Sequence, residues 1–77
     1  MNATLTLQVM QLGSPIIIGE SIPARIVGIA IDIKMRITYR CAWWDGRTRH
    51  SEWLEQCEVL PTNGTQIVKM GFHDGRH

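Results

Sequence analysis

The chain has 77 residues, of which 44% are hydrophobic and 19% charged, and eight Lys or Arg against seven Asp or Glu leave a formal net charge of +1. A domain of that length buries only about 60% of the surface its unfolded form exposes, so it has little stability to spare. The composition excludes a disordered or low-complexity chain. The near-neutral charge excludes a global field that would draw it to nucleic acid or anionic lipid, and leaves such partners to local patches.

Residues 1–10 show no basic leader followed by an uninterrupted apolar run, and no stretch approaches the length needed to span a bilayer. The expected location is cytoplasmic, either in a cell's own cytoplasm or, for a phage-encoded chain, in the host cytoplasm or the virion. Two cysteines, Cys41 and Cys57, suit free thiols in that compartment better than a disulfide framework.

In chain order, Leu5, Leu7 and Val9 alternate with Thr4, Thr6 and Gln8, which predicts a first short strand. Leu12-Gly13-Ser14-Pro15 breaks it, and Ile16-Ile17-Ile18, β-branched throughout, predicts a second. Gly19-Glu20-Ser21-Ile22-Pro23 is the next break. Residues 1–21 thus read as a strand or arm ahead of the main pattern.

That pattern occupies residues 27–44. Its odd positions (Val27, Ile29, Ile31, Ile33, Met35, Ile37, Tyr39, Cys41, Trp43) are apolar, whereas Asp32, Lys34, Arg36, Thr38 and Arg40 stand among the even ones. The alternation predicts β structure with the odd residues inside. A single straight strand would span about 56 Å, too long for so small a domain, so a reversal is expected around residues 32–35. Nothing there is a natural acceptor of positive φ. The unbroken phase favours a loop with an even number of residues, with a strongly coiled strand as the second reading, and both put the odd residues inside.

Asp45-Gly46 marks a second reversal. With these two as the central pair of a two-residue turn, Trp44 faces Arg47, Ala42 faces Arg49, Arg40 faces Ser51 and Thr38 faces Trp53. The other face then pairs Trp43 with Thr48, Cys41 with His50 and Tyr39 with Glu52. A three-residue loop with a bulge instead puts Trp53 beside Ile37 on the core face, and the sequence leaves both open. A helical turn is expected in residues 55–58. Asn63-Gly64 predicts a hairpin joining Val59-Leu60 to a last strand over residues 65–70, with a frayed tail at 73–77.

The expected fold is all-β: one domain over residues 1–77, a small, partly open barrel of five to six short antiparallel strands with at most one helical turn. The run Tyr39-Arg40-Cys41-Ala42-Trp43-Trp44-Asp45-Gly46-Arg47, with Trp53-Leu54 and Glu58-Val59 downstream, resembles Src-homology-3-like small barrels of the Tudor and chromo-barrel kind. More narrowly it resembles short uncharacterised bacterial and bacteriophage proteins. The resemblance covers about half the chain and implies a reader or scaffold module, since such barrels bind peptides, bind nucleic acids or serve as structural parts.

Trp43 keeps the buried register and reads as core. Trp44 falls one residue out of it, beside a turn and among arginines, where an indole can meet a cation or stack on a partner. Trp44, Arg47, Arg49, Trp53 and Arg40 are therefore the candidate binding residues. With Lys34 and Arg36, the arginines also read as a basic stripe on a solvated face. Cys41, His50, Cys57, His73 and His77 lack the spacing of a structural zinc site, so no metal or cofactor is expected. Cys41, His50 and Asp45 are the only candidates for a nucleophilic site, and so small a domain is expected to have no cavity of substrate size.

The reading is a non-catalytic interaction module, with no small-molecule substrate and no membrane partner. It binds protein through the outer face of the central hairpin. The alternatives are a small self-assembling structural subunit and, less favoured by the charge, a nucleic-acid-binding barrel.

Overall fold

A computed structural model describes residues 4–73, with side chains described over residues 7–70. The chain is all-β, as the alternation predicts. Among the described residues seven strands are formed: β1 (Thr4–Met10), β2 (Pro15–Ile18), β3 (Ile22–Ile31), β4 (Ile37–Asp45), β5 (Thr48–Glu55), β6 (Val59–Pro61) and β7 (Ile67–His73). The expected helical turn is a three-residue 3-10 segment, Gln56–Glu58, between β5 and β6. Residues 74–77, where most of the predicted tail falls, lie outside the described residues, and β7 itself continues to His73.

Five strands form one antiparallel sheet in the order β5-β4-β3-β2-β6, while β1 and β7 pair with each other as a two-stranded ribbon. No pairing closes the two sheets into a barrel among the described residues. The ribbon supplies Val9 and Met10 to a core completed by Ile16, Ile18, Ala24, Ile26, Ile37, Tyr39, Cys41 and Val59 of the larger sheet. The face that carries these residues is the inner face, and the opposite one is the outer face. At the join the Met10 N–H donates to the Tyr39 hydroxyl at 3.0 Å, deep in the core.

The main alternating stretch divides as its length requires, but not in a single register. Ile26 lies opposite Cys41 and Gly28 opposite Arg40, so Val27 is an extra residue in a β-bulge. Ahead of the bulge the even residues Ala24 and Ile26 point inward; after it the odd residues Ile29 and Ile31 do. Val27, expected inside, is 44% exposed. Gly28 admits the close packing here: a Cβ on it would stand 3.1 Å from the Arg40 Cβ and 3.2 Å from the Trp53 ring.

The first reversal is a five-residue connection, residues 32–36, between the paired Ile31 and Ile37. The expectation of an even loop fails for a geometric reason. Residues directly opposite across a ladder point to the same face, so two odd positions can pair only across an odd number of residues. Asp32 organises the turn: its carboxylate accepts from the backbone N–H of Arg36 at 2.8 Å and of Lys34 at 2.9 Å, and ion-pairs with Arg36 Nε at 3.2 Å. The Arg36 N–H is the main reason that its carboxyl titrates below the usual carboxylate range. Ile33, also expected inside, is 97% exposed at the tip. Met35 takes the positive φ, +63°, that the turn demands. Met35→Gly is therefore expected to raise stability by about 1 kcal/mol, read as a higher urea midpoint; a lower midpoint would mean that the side chain contributes more by packing than its backbone costs.

The second reversal is a two-residue turn, with Gly46-Arg47 rather than Asp45-Gly46 at its centre. Asp45 pairs with Thr48 and Trp44 with Arg49. Gly46 has φ +62° and Arg47 does not share the left-handed region, the pattern of a turn that needs glycine first. The ladder moves by two residues from the expected one, which preserves the faces but changes every partner. The bulged alternative with Trp53 on the core face is not formed. Gly46→Val should cost about 1–3 kcal/mol, because a β-branched residue there is strained. An unchanged thermal midpoint would count against the turn.

Asn63-Gly64 makes a turn but no hairpin. The Thr65 N–H donates to the Thr62 carbonyl at 3.2 Å, yet β6 pairs with β2 and β7 with β1, so the turn carries the chain from one sheet to the other. Gly64 is required for space: a Cβ there would stand 3.0 Å from Pro15 Cγ. The return crossing, residues 11–14, lies alongside, joined by Gln11 N–H to the Gln66 carbonyl at 2.8 Å and by Gln66 N–H to the buried Ser14 hydroxyl at 3.2 Å.

Candidate functional site

The outer face of the five-stranded sheet carries most of the residues singled out by sequence. On β4 and β5, Trp44 lies opposite Arg49, Ala42 opposite Ser51, and Arg40 opposite Trp53. Trp44 is 67% exposed and Trp53 52%. Arg40 Nη2 donates to the Ser51 hydroxyl at 3.2 Å, which holds its guanidinium along the sheet. The Trp53 ring reaches across β4 to Gly28, the one position on β3 where nothing projects to obstruct it. Four of the five candidates therefore share one face. Arg47 belongs to the turn itself, at the tip of the hairpin. Lys34 and Arg36 lie in the connection at the far end of β4, so the predicted basic stripe is shorter than expected.

The sheet adds residues to this face that were not singled out. Arg25 is the β3 neighbour of Ala42, and its guanidinium donates to the Gly13 carbonyl at 2.8 Å. Ile17, Pro23, Val27, Ala42 and Trp44 line a groove of about 540 Å³ to which Arg25 and Arg49 bring the charge. The signal for this was Gly28, whose lack of a side chain permits the bulge that turns Val27 outward.

On the inner face at the same end of the sheet, Trp43 is half-buried rather than core. It stacks on His50, with ring centroids 5.5 Å apart and planes 20° from parallel. Here Ile18, Ile22 and Leu54, with Glu52 and Glu58, line a second groove of about 460 Å³, which Leu60 borders from the edge strand β6. The Glu58 carboxylate accepts from the Glu55 N–H at 2.9 Å and is thereby fixed in place.

Both are open grooves on the sheet surface and not enclosed cavities, with volumes in the range of ligand sites. An open sheet leaves concave surface that a closed barrel would fill with side chains. The supposed catalytic group is not assembled, however. Cys41 lies opposite Glu52 instead of His50, is fully buried, and has its thiol pKa pushed up by that burial. Cys57 is exposed, and both thiols are free. Among the described residues no three His, Cys, Asp or Glu side chains gather where one metal ion would sit; the side chain of His73 and all of His77 lie outside the described residues.

No described helix is long and apolar enough to cross a membrane. No protein-family model, no curated protein and no solved structure matches this chain.

Proposed function

We propose that the protein is a non-catalytic interaction module whose outer sheet face binds an apolar, acidic segment of another protein. The observation that carries this reading is the coincidence on one face of two exposed indoles, Trp44 and Trp53, with Arg40 and Arg49 directly across the ladder and an apolar groove beside them. Exposed tryptophan and arginine are the side chains that anchor protein interfaces most often. The resemblance to Src-homology-3-like barrels, many of which read peptides, supports the same class. The net charge of +1 favours protein over nucleic acid, whose binding draws on a larger basic surplus.

The test is selection of a random peptide library on the wild-type protein and, in parallel, on Trp44→Ser and Arg49→Glu. Both substitutions sit at exposed positions and should leave the unfolding midpoint unchanged. Peptides combining aliphatic or aromatic residues with Asp or Glu are expected to be enriched, and to lose at least tenfold in affinity for either variant. Peptides that bind all three proteins alike, or single-stranded oligonucleotides that displace them at low salt and let go at high salt, overturn the reading.

A further inference from the structure

The two grooves carry opposite charges. On the outer face, Trp44 projects beside Arg49 and a groove that also takes Arg25. On the inner face, Ile18, Ile22 and Leu54 form an apolar floor flanked by Glu52 and Glu58, and among the described residues no Lys or Arg lines it. A surface that is apolar and basic and another that is apolar and acidic therefore stand back to back on the same sheet. We infer that the occupant of each is a second copy of this chain, with Trp44 of one copy seated in the acidic groove of the next and Arg49 meeting Glu52 or Glu58.

The pairing of faces follows from electrostatics. Outer face against outer face would oppose Arg25, Arg40 and Arg49 to themselves, and inner groove against inner groove would oppose Glu52 and Glu58 to themselves; like charges set together at an interface are disfavoured. Outer against inner matches charge with charge and apolar surface with apolar surface. Such a contact is head-to-tail, so copies add in one direction and give a ring or a filament according to the rotation between neighbours. A net charge of +1 puts no general repulsion in the way. The exposed indole has the character of an interface anchor, and the Glu55 N–H already holds one acceptor of the groove in position.

This inference rests on the outer face being a binding face, and adds what binds there. Sedimentation velocity across a wide concentration range tests it with the wild type, Trp44→Ser, Glu52→Arg and a one-to-one mixture of the two variants. The wild-type mass should rise with concentration, and more steeply at low salt. Each variant alone should associate at least tenfold more weakly, while the mixture should form a species of two chains and no larger, because each variant keeps the surface that the other has lost. The double variant Arg49→Glu with Glu52→Arg should recover association. A wild type that stays monomeric throughout overturns the inference, and so does a mixture no larger than its components. If peptides dependent on Trp44 are still selected while the wild type is monomeric, this inference falls and the proposed function stands.

Discussion

Tyr39→Ala is expected to lower stability by about 3–5 kcal/mol, and Tyr39→Phe by about 1–3 kcal/mol. Tyr39 is fully buried on β4 and is the largest side chain in the core to be so. Its ring contributes packing, and its hydroxyl accepts the N–H of Met10, the last residue of β1, at 3.0 Å. The alanine variant loses both, in a domain whose whole stability should be about 4–12 kcal/mol. The phenylalanine variant keeps the ring and leaves one buried N–H without a partner, so the difference between the two separates packing from hydrogen bonding. Urea unfolding gives the magnitudes. Hydrogen exchange should show the Met10 amide losing protection in Tyr39→Phe before the amides of β3 and β4 do. Equal protection of Met10 in the variant and the wild type would count against the bond as the tie between ribbon and sheet.

The second large effect concerns the bulge. Ile26→Ala should cost about 2–5 kcal/mol, whereas Val27→Ala, one residue on, should stay within about 0.5 kcal/mol. Ile26 is wholly inaccessible in the core and Val27 lines the outer groove. A register that held the odd residues inside from residue 27 onward gives the opposite order. A larger loss at Val27 than at Ile26, measured by denaturant midpoints at constant slope, would remove the bulge and with it the apolar floor of the outer groove.

The same two residues show what the sequence made legible. Period-two alternation identified the fold class and placed Ile37, Tyr39 and Cys41 in the core, because side chains in a strand must alternate between faces. It could not register the bulge. One inserted residue changes the phase, and apolar residues at Ile26, Val27 and Ile29 are compatible with either side of it. Asp45-Gly46 located the hairpin, but glycine suits either central position of a two-residue turn, so the partners came out two residues displaced. Asn63-Gly64 signalled a turn correctly. Which strands the turn joins is decided by long-range pairing with β1 and β2, and no local dipeptide encodes that. Trp44, Trp53, Arg40 and Arg49 were found together because a shift of two preserves the face. Arg25 and the groove beside Trp44 were not found, since they come from strands paired through the bulge.

The ribbon has a consequence for the order in which the molecule is made. β1 is translated before the whole five-stranded sheet and pairs with β7, which follows that sheet, with Thr4 opposite His73. Closing so long a loop is slow, and it cannot begin until β7 has left the ribosome. The β3-β4-β5 meander, joined by short local turns, can form well before that. During this interval the inner face lacks Val9 and Met10 as cover, and Tyr39, Ile26 and Cys41 stand open to water and to one another's copies. The newborn chain is therefore most prone to aggregate between the emergence of β5 and that of β7, and a chaperone that shields one apolar sheet face would act on it in that window.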